Sequence, residues 1–455
     1  MKSEKRNILL SAGILGLGTF FVKFIGAIYR IPLTNILKSD GIGLYQMVFP
    51  VYALLLDFSG ASVPSALSKL IAEKGENSYI YAKKYLSKCI KFFGVVGIFA
   101  TSFIIAFSKV ISRAQGNENA RFAYLFLAPA IFFVCIISCY RGAFQGLKDM
   151  KPTAISQIIE QVVKVVLGLL LATIFISNTP LAVGGATLAI TVSEICAVIY
   201  LALLWKKREK KYYFQNGKEI SEINEKELSI KTILKAVIPI TLIGITMPFS
   251  QVIDSFLIVN LLKNTNNATG IYGIYSGVAL TIINLPISIC HGLAVATVPS
   301  VSSAKDTFDR RDKEKYLIKI TLIISLIASV FVLFLSKPLV NILFSSLPSE
   351  DKNLAIKLIK TLSVVIVLLS LLQTQNSIFI ANGKYYVPLI TMFISVAVKS
   401  ILEYFLIKNQ YINIFGGAIS LITCYFIANL LNFILIKDFG ANNAGKKRKY
   451  PEFEN

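Results

Sequence analysis

Ionisable side chains occur within the long apolar stretches of this sequence, where each of them is energetically costly. A charge near the centre of a bilayer costs about 3 kcal/mol on insertion scales, so it usually faces a cavity or a partner. The residues concerned are Lys23, Arg30, Asp57, Arg141, Glu160, Lys164, Glu194, Asp254, His291, Lys399 and Glu403. Such cations bind anions, and such carboxylates bind cations or protons. The predicted chemistry is therefore ligand binding and ion coupling, and the chain is not expected to be an enzyme.

These side chains divide into two candidate sets by their charge. The predicted substrate-binding residues are Lys23, Arg30, Arg141, Lys164 and Lys399. The predicted cavity-lining or ion-coupling residues are Asp57, Glu160, Asp254, His291 and Glu403. A pyrophosphate needs cations and a cationic drug needs carboxylates, so the charges alone leave the substrate open. No catalytic residue, metal site or cofactor is predicted, and a single histidine cannot form a metal-binding pair.

Two of these charge pairs have helical spacing. Glu160 and Lys164 are four residues apart, as are Lys399 and Glu403, so each pair lies on one face of a helix. Each could be an intrahelical ion pair that neutralises itself. The alternative is a charged wall of a hydrated cavity, lined symmetrically by two halves of the molecule.

The elements that hold these charges are membrane-spanning helices. Hydrophobic residues make up 55% of the 455-residue chain, charged residues 16%, and the mean hydropathy is +0.66. Apolar runs of about 20 residues, the length that crosses a bilayer, recur about twelve times. The fold class is therefore an all-α integral membrane protein, and strands of a β-barrel would be shorter and alternating. The predicted parts are residues 1–205 with six spans, a linker 206–231, residues 232–436 with six spans, and a basic tail 437–455.

The distribution of basic residues predicts the orientation in the membrane. The chain has a net charge of +22, and its Lys and Arg concentrate at the N-terminus, in the linker and in the tail. Positive loops stay in the cytoplasm, so both termini are expected there, in a cytoplasmic membrane. The tail is expected to bind anionic lipids. No soluble basic domain is present, which argues against nucleic acid as a partner.

The sequence also contains a weak internal repeat. One shift of the sequence along itself aligns Val63-Pro64-Ser65 with Val298-Pro299-Ser300, Phe144 with Phe379, and Val163-Lys164 with Val398-Lys399. Gly43-Leu44-Tyr45 and Gly273-Ile274-Tyr275 fall close to the same register. Two halves of six spans each share one orientation and are related by an axis along the membrane normal. Transporters of this design bind substrate between the halves, so the repeat predicts transport by alternating access.

Several motifs resemble one family closely. They are KFIGAIYRIPL at 23–33, GIGLYQ at 41–46, VPSALSK at 63–69, YRGAFQG at 140–146, PTAISQ at 152–157 and Glu160-Gln161. Together they are similar to the stage V sporulation protein B family, within the multidrug/oligosaccharidyl-lipid/polysaccharide exporter superfamily. The match covers the first five spans, and the second half is similar mainly in layout.

The resemblance implies a flippase for lipid-linked glycan precursors, related to MurJ-like lipid II flippases. On that basis Lys23 and Arg30 are expected to contact the pyrophosphate-sugar head, and Arg141 and Glu160 to line the cavity or a gate. Cell-wall synthases are possible partners. Many family members have fourteen spans, the last two contributing to a lipid-tail groove. About twelve spans leave a multidrug exporter open as the alternative, and a non-transporting scaffold of a cell-wall complex is the other.

Overall fold

The computed structural model describes residues 2–75, 78–216, 229–265, 267–302, 307–384 and 386–446. Every regular element in these ranges is helical, in agreement with the predicted fold class. The first seven helices are α1 (Lys2–Leu56), α2 (Val63–Ala72), α3 (Ser78–Ala114), α4 (Ala120–Gly146), α5 (Lys151–Ile174), α6 (Thr179–Asn216) and α7 (Ile230–Gly244). The other seven are α8 (Thr246–Leu261), α9 (Ala268–Tyr272), α10 (Leu280–Ser302), α11 (Thr307–Leu343), α12 (Ser349–Ala381), α13 (Tyr386–Lys408) and α14 (Phe415–Lys446).

Ten segments of the described chain are long and apolar enough to cross a membrane. Helix α1 has 55 residues, far more than one crossing needs, and changes direction at Lys38, where φ is 59°. It therefore contains the first predicted span and the start of the second. Helices α7 and α8 are separated only by Ile245 and together cover the seventh. Counting two spans within α1 and one for α7 with α8 raises the number from ten to about twelve.

Two short π-helical segments interrupt the spans within the described ranges. Asp57–Ala61 separates α1 from α2, and Gly273–Ala279 separates α9 from α10. Such insertions re-aim side chains within a helix and are frequent at functional sites. The first of them carries Asp57 at its beginning, so an ionisable group lies at a local irregularity of the second span.

The chain forms two compact units. The first comprises Met1–Thr281 and Lys337–Lys357, and the second comprises Ile282–Ser336 and Leu358–Asn455. In the second unit, polar side chains join the helices: Thr321 and Thr374 share a hydrogen bond of 3.0 Å between α11 and α12. The hydroxyl of Ser329 donates to the carbonyl of Ser363 at 2.8 Å. Hydrogen bonds of this kind connect helices where the surrounding lipid is as apolar as their side chains.

The first unit has an aromatic and aliphatic core at one end. Trp205 of α6 stacks on Tyr79 of α3, with ring centroids 5.9 Å apart, and meets Phe144 of α4 edge-on at 5.4 Å. Helix α6 continues past residue 205, the predicted end of the N-terminal half, to Asn216. Its extension forms ion pairs from Arg208 to Asp149 and from Glu209 to Lys83. The middle of the predicted linker and residues 447–455 lie outside the described residues.

At the other end of the first unit, α1 packs closely against α9 and the π-helical segment Gly273–Ala279. A side chain on Gly43 would overlap the carbonyl oxygen of Thr269, and one on Gly273 would overlap the backbone at Ser39 and Gly43. These are the two glycines of the GLY and GIY motifs that the internal repeat relates. Only glycine permits backbones to approach so closely. The repeat-related segments are therefore in direct contact at this crossing.

Polar contacts surround the glycine crossing. The amide of Gln115 donates to the carbonyl of Met47 at 2.8 Å and to the hydroxyl of Ser255 at 3.0 Å. Asn117 donates to Thr269 at 2.9 Å. A second group of contacts joins the turn after the first span to the loop before α12, which includes Ser346. These loops thus lie on the same side of the first unit.

Candidate substrate-binding site

A buried ion pair connects α4 and α5 within the first unit. The guanidinium of Arg141 pairs with the carboxylate of Glu160 and also donates to the hydroxyl of Ser156 at 3.0 Å. The two charged side chains are only 15% and 12% exposed. An intrahelical pair of Glu160 with Lys164 was one of the two alternatives left open by their spacing; the carboxylate forms its ion pair with a cation of the neighbouring helix. The pair fixes the orientation of Glu160.

A second carboxylate extends this cluster. Glu194 of α6 is buried and close enough to interact electrostatically with Glu160, Arg141 and Lys164. Two carboxylates so close together repel unless a proton or cations stabilise them. Here, three cations are available, because Arg30 also lies near Lys164. Three cations against two carboxylates leave the cluster with a positive excess when all of its groups are ionised.

Arg30 and Lys164 are the two cations of the cluster that do not belong to the Arg141–Glu160 ion pair. Arg30 of α1 places its guanidinium carbon 5.4 Å from the centre of the Phe49 ring, and the ammonium of Lys164 lies 5.9 Å from that of Tyr29. Within the described residues, neither cation has a carboxylate at salt-bridge distance. Both are half-buried in an otherwise apolar part of the chain. Aromatic faces stabilise such cations only partly, so an anionic ligand is the partner that would complete them.

The helical repeat explains why these groups converge. Ser156, Glu160 and Lys164 recur every four residues, so they form one stripe along α5. That stripe faces α4 at Arg141 and α1 at Tyr29. The arrangement is a row of polar groups along α5 that runs from Ser156 to Lys164, beside the aromatic ring of Tyr29.

The other predicted site residues lie elsewhere. Lys23 belongs to α1, but its side chain is outside the described residues. Asp57 is half-buried and faces α7, with its carboxyl carbon 3.5 Å from where a side chain on Gly244 would begin. Asp254 is buried on α8.

The remaining predicted residues belong to the second unit. His291 is half-buried on α10, and Lys399 and Glu403 are both buried on α13. Their roles stay predictions. The structure therefore brings together Arg30, Arg141, Glu160 and Lys164 of the predicted set, and adds Glu194, which the sequence identified as an intramembrane charge without assigning it to a site.

Comparisons of the sequence with known proteins agree with this architecture. The family profile described as polysaccharide biosynthesis protein matches residues 8–305. Stage V sporulation protein B of Bacillus subtilis is 25% identical over 439 residues, which cover 93% of this chain and 81% of the relative. The lipid II flippase MurJ of the same organism is 23% identical over 454 residues, covering 95% of this chain and 82% of the relative.

Solved structures of membrane transporters share this fold. An inward-facing multidrug resistance MATE transporter of the MOP superfamily has a TM-score of 0.78 and 18% identity, over 94% of this chain and 96% of that one. The lipid II flippase MurJ in an inward closed conformation has a TM-score of 0.70 and 15% identity, over 93% of this chain and 87% of that one.

The fold thus defines a multi-pass helical membrane protein with the same fold as a MATE transporter and the lipid II flippase MurJ. Because the profile covers more than half of its length, the chain belongs to the polysaccharide biosynthesis protein family. The resemblance to the family of stage V sporulation protein B and MurJ, seen in the sequence motifs, is confirmed.

Proposed function

We propose that this protein is a flippase that moves a lipid-linked glycan precursor, such as a peptidoglycan precursor, across the cytoplasmic membrane. The observation that carries the proposal is that Arg30 and Lys164, at membrane depth, lie against aromatic rings and outside the Arg141–Glu160 ion pair. A pyrophosphate bears negative charge on oxygens that an arginine and a lysine can hold at the same time. The polyprenyl tail would remain in the surrounding lipid.

The cavity acids have a separate role in this proposal. Glu160 is held by Arg141, so the ion pair already compensates one of the two carboxylates. Glu194 and Glu160 together are the groups that could take up a cation or a proton during the cycle. Asp57, Asp254, His291 and Glu403 remain candidates for the same role, and Lys23 and Lys399 for head-group binding.

The relatives support this substrate class, since one of them is named a lipid II flippase and another a stage V sporulation protein. We further propose two six-span halves, residues 1–205 and 232–436, that alternate access to the substrate. Both termini would be cytoplasmic, and the basic tail 437–455 would bind anionic lipids. Synthases of the cell wall are the expected protein partners.

A cation-coupled multidrug exporter is the second candidate function. The two adjacent carboxylates, Glu160 and Glu194, favour it, because a cationic drug would bind to negative groups. The positive excess of the cluster opposes it. Translocation of a cationic dye, in place of the glycan lipid, by the protein in liposomes would establish this alternative.

The test measures translocation of a fluorescent polyprenyl-pyrophosphate glycan in liposomes that contain the purified protein. Arg30→Ala and Lys164→Ala should each lower the rate about tenfold or more, as expected when one charge-assisted contact is lost. Arg121→Ala and Lys151→Ala remove exposed cations and are the matched controls. Unchanged flipping in both cavity variants would contradict the proposed head-group site, and would favour a scaffold if the wild type is also inactive.

A further inference from the structure

Polar atoms of the described chain without a hydrogen-bond partner lie along the face of α5 that carries Lys164 and packs against α1. Among the described residues, the side-chain oxygens of Gln157, Gln161 and Tyr29 have no hydrogen-bond partner. Gln161 is 9% exposed and Tyr29 only 3%. Buried polar groups of native proteins are nearly always hydrogen-bonded, so three unpaired oxygens along the contact between α5 and α1 need a physical reason.

The spacing of these residues puts them in one row with a cation. Gln157, Gln161 and Lys164 follow at intervals of four and three residues, so they share one face of α5. Tyr29 joins the row from α1, because its ring lies beside the ammonium of Lys164 and its hydroxyl reaches Gly168. The row therefore runs from the cationic site toward the beginning of α5.

Helix α1 leaves space opposite the row. Gly26 faces Gln161, and a methyl group added there would stand 3.6 Å from the side-chain oxygen of the glutamine. That distance is an ordinary van der Waals contact, so an alanine would fit and would fill the space beside the oxygen. The residue of α1 that faces the amide of Gln161 therefore has no side chain.

We propose that Gln157 and Gln161 are specificity-determining residues that bind the first sugar of the lipid-linked substrate. Sugar hydroxyls donate and accept hydrogen bonds in close pairs, and a side-chain amide can do both. The sugar attached to a pyrophosphate held at Arg30 and Lys164 would extend along the row. This inference rests on the proposed function, because it presupposes a pyrophosphate at the two cations.

A site that is built for hydroxyl groups discriminates strongly, since its polar atoms remain unpaired when the hydroxyls are missing. Loss of one amide should therefore affect a sugar-bearing lipid and leave a sugar-free lipid unchanged. This selectivity distinguishes the sugar subsite from the head-group cations, whose loss should affect both lipids.

The experiment compares two probes in proteoliposomes: a polyprenyl pyrophosphate carrying an N-acetylhexosamine, and the same polyprenyl pyrophosphate without a sugar. Gln161→Leu and Gln157→Leu should each slow the first probe about five- to tenfold and leave the second within twofold. Lys164→Ala should slow both. Gln375→Leu removes a buried glutamine of the second unit and is the matched control.

Gly26→Ala gives an independent check, because its methyl group occupies the space beside the oxygen of Gln161 without changing the glutamine and does not lower helix propensity. It should slow the sugar-bearing probe selectively. Equal losses on both probes, or no loss on either, would overturn the sugar subsite while the proposed function stands. A wild type that moves neither probe would refute the proposed function, and the subsite with it.

Discussion

At the scale of single residues, the ion pair between Arg141 and Glu160 should stabilise the first unit. Both side chains are largely buried, and removing one partner leaves the other charge without compensation. Glu160→Gln is expected to lower the free energy of unfolding by about 3 kcal/mol. The double variant Arg141→Met/Glu160→Met should recover much of that loss. Chemical unfolding in detergent measures both.

The matched control for this prediction is Glu118→Gln. Glu118 also pairs with an arginine, Arg113, but it is fully exposed in the loop between α3 and α4. The hydrogen bond from Arg113 lowers the pKa of Glu118, so the pair is ionised at neutral pH. Water screens such pairs, and their removal should leave the unfolding curve unchanged. Equal effects of the two variants would contradict a stabilising role for the buried pair.

The sequence predicted the members of the charge cluster better than their partners. Residue type and apolar context identified Arg30, Arg141, Glu160 and Lys164, since a charge within a span is informative by itself. The helical spacing then suggested a pair between Glu160 and Lys164, but Arg141 is the actual partner. Contacts between helices depend on how the helices rotate and cross, which spacing along one helix does not specify. The same limit concealed the approach of Glu194.

At the scale of helices, the glycine crossing at Gly43 and Gly273 should tolerate no side chain. Gly43→Val and Gly273→Val would force atoms into the opposing backbone and separate α1 from α9 and the π-helical segment that follows it. We expect each to destabilise the protein by about 2 kcal/mol or more and to reduce transport strongly. Thermal unfolding in detergent and the liposome assay are the measurements.

Gly292→Ala is the control for the crossing, because open space surrounds Gly292 on α10. It should be neutral or slightly stabilising, since alanine is the better helix former. If Gly43→Val and Gly273→Val proved as harmless as Gly292→Ala, the two backbones could not be in contact in the native protein.

Hydropathy predicted the helices well and their irregularities poorly. The apolar runs identified the spans, because the bilayer imposes a length and an apolar surface on each of them. The turn within α1 at Lys38, the break at Ile245 and the extension of α6 to Asn216 were not evident. They follow from packing and from polar contacts such as Arg208 with Asp149, which act between elements.

At the scale of the whole molecule, contacts between loops identify which loops lie on the same side of the first unit. Asn117 contacts Thr269, Ser39 lies against Gly273, and Asn35 contacts Ser346. The loops that contain these residues therefore lie on one side, as alternating spans require. If both termini are cytoplasmic, that side faces outward. Tyr411→Cys, at a position 99% exposed, should then react with an impermeant maleimide added to intact cells. Lys207→Cys should react only after permeabilisation.

The background for this labelling is Cys196→Ser, since the other native cysteines are buried. Labelling of Lys207→Cys in intact cells would reverse the proposed orientation. Sequence charges could suggest this orientation but could not locate the contacts between loops, because each contact joins residues far apart in the chain.

A cross-link between two of these loops should show whether they separate during transport. Asn35 donates to the carbonyl of Leu343 at 2.8 Å, and the hydroxyl of Ser346 donates to the backbone oxygen of Asn35 at 2.8 Å. Both side chains are short, so the double variant Asn35→Cys/Ser346→Cys should form a disulfide on oxidation. Alternating access requires the outer loops of the two proposed halves to part. We therefore expect oxidation to stop glycan-lipid flipping and a reductant to restore it, while each single variant is insensitive to oxidant. Full transport by a protein shown by mass spectrometry to be cross-linked would mean that these loops stay together throughout the cycle, and that the moving boundary lies elsewhere in the chain.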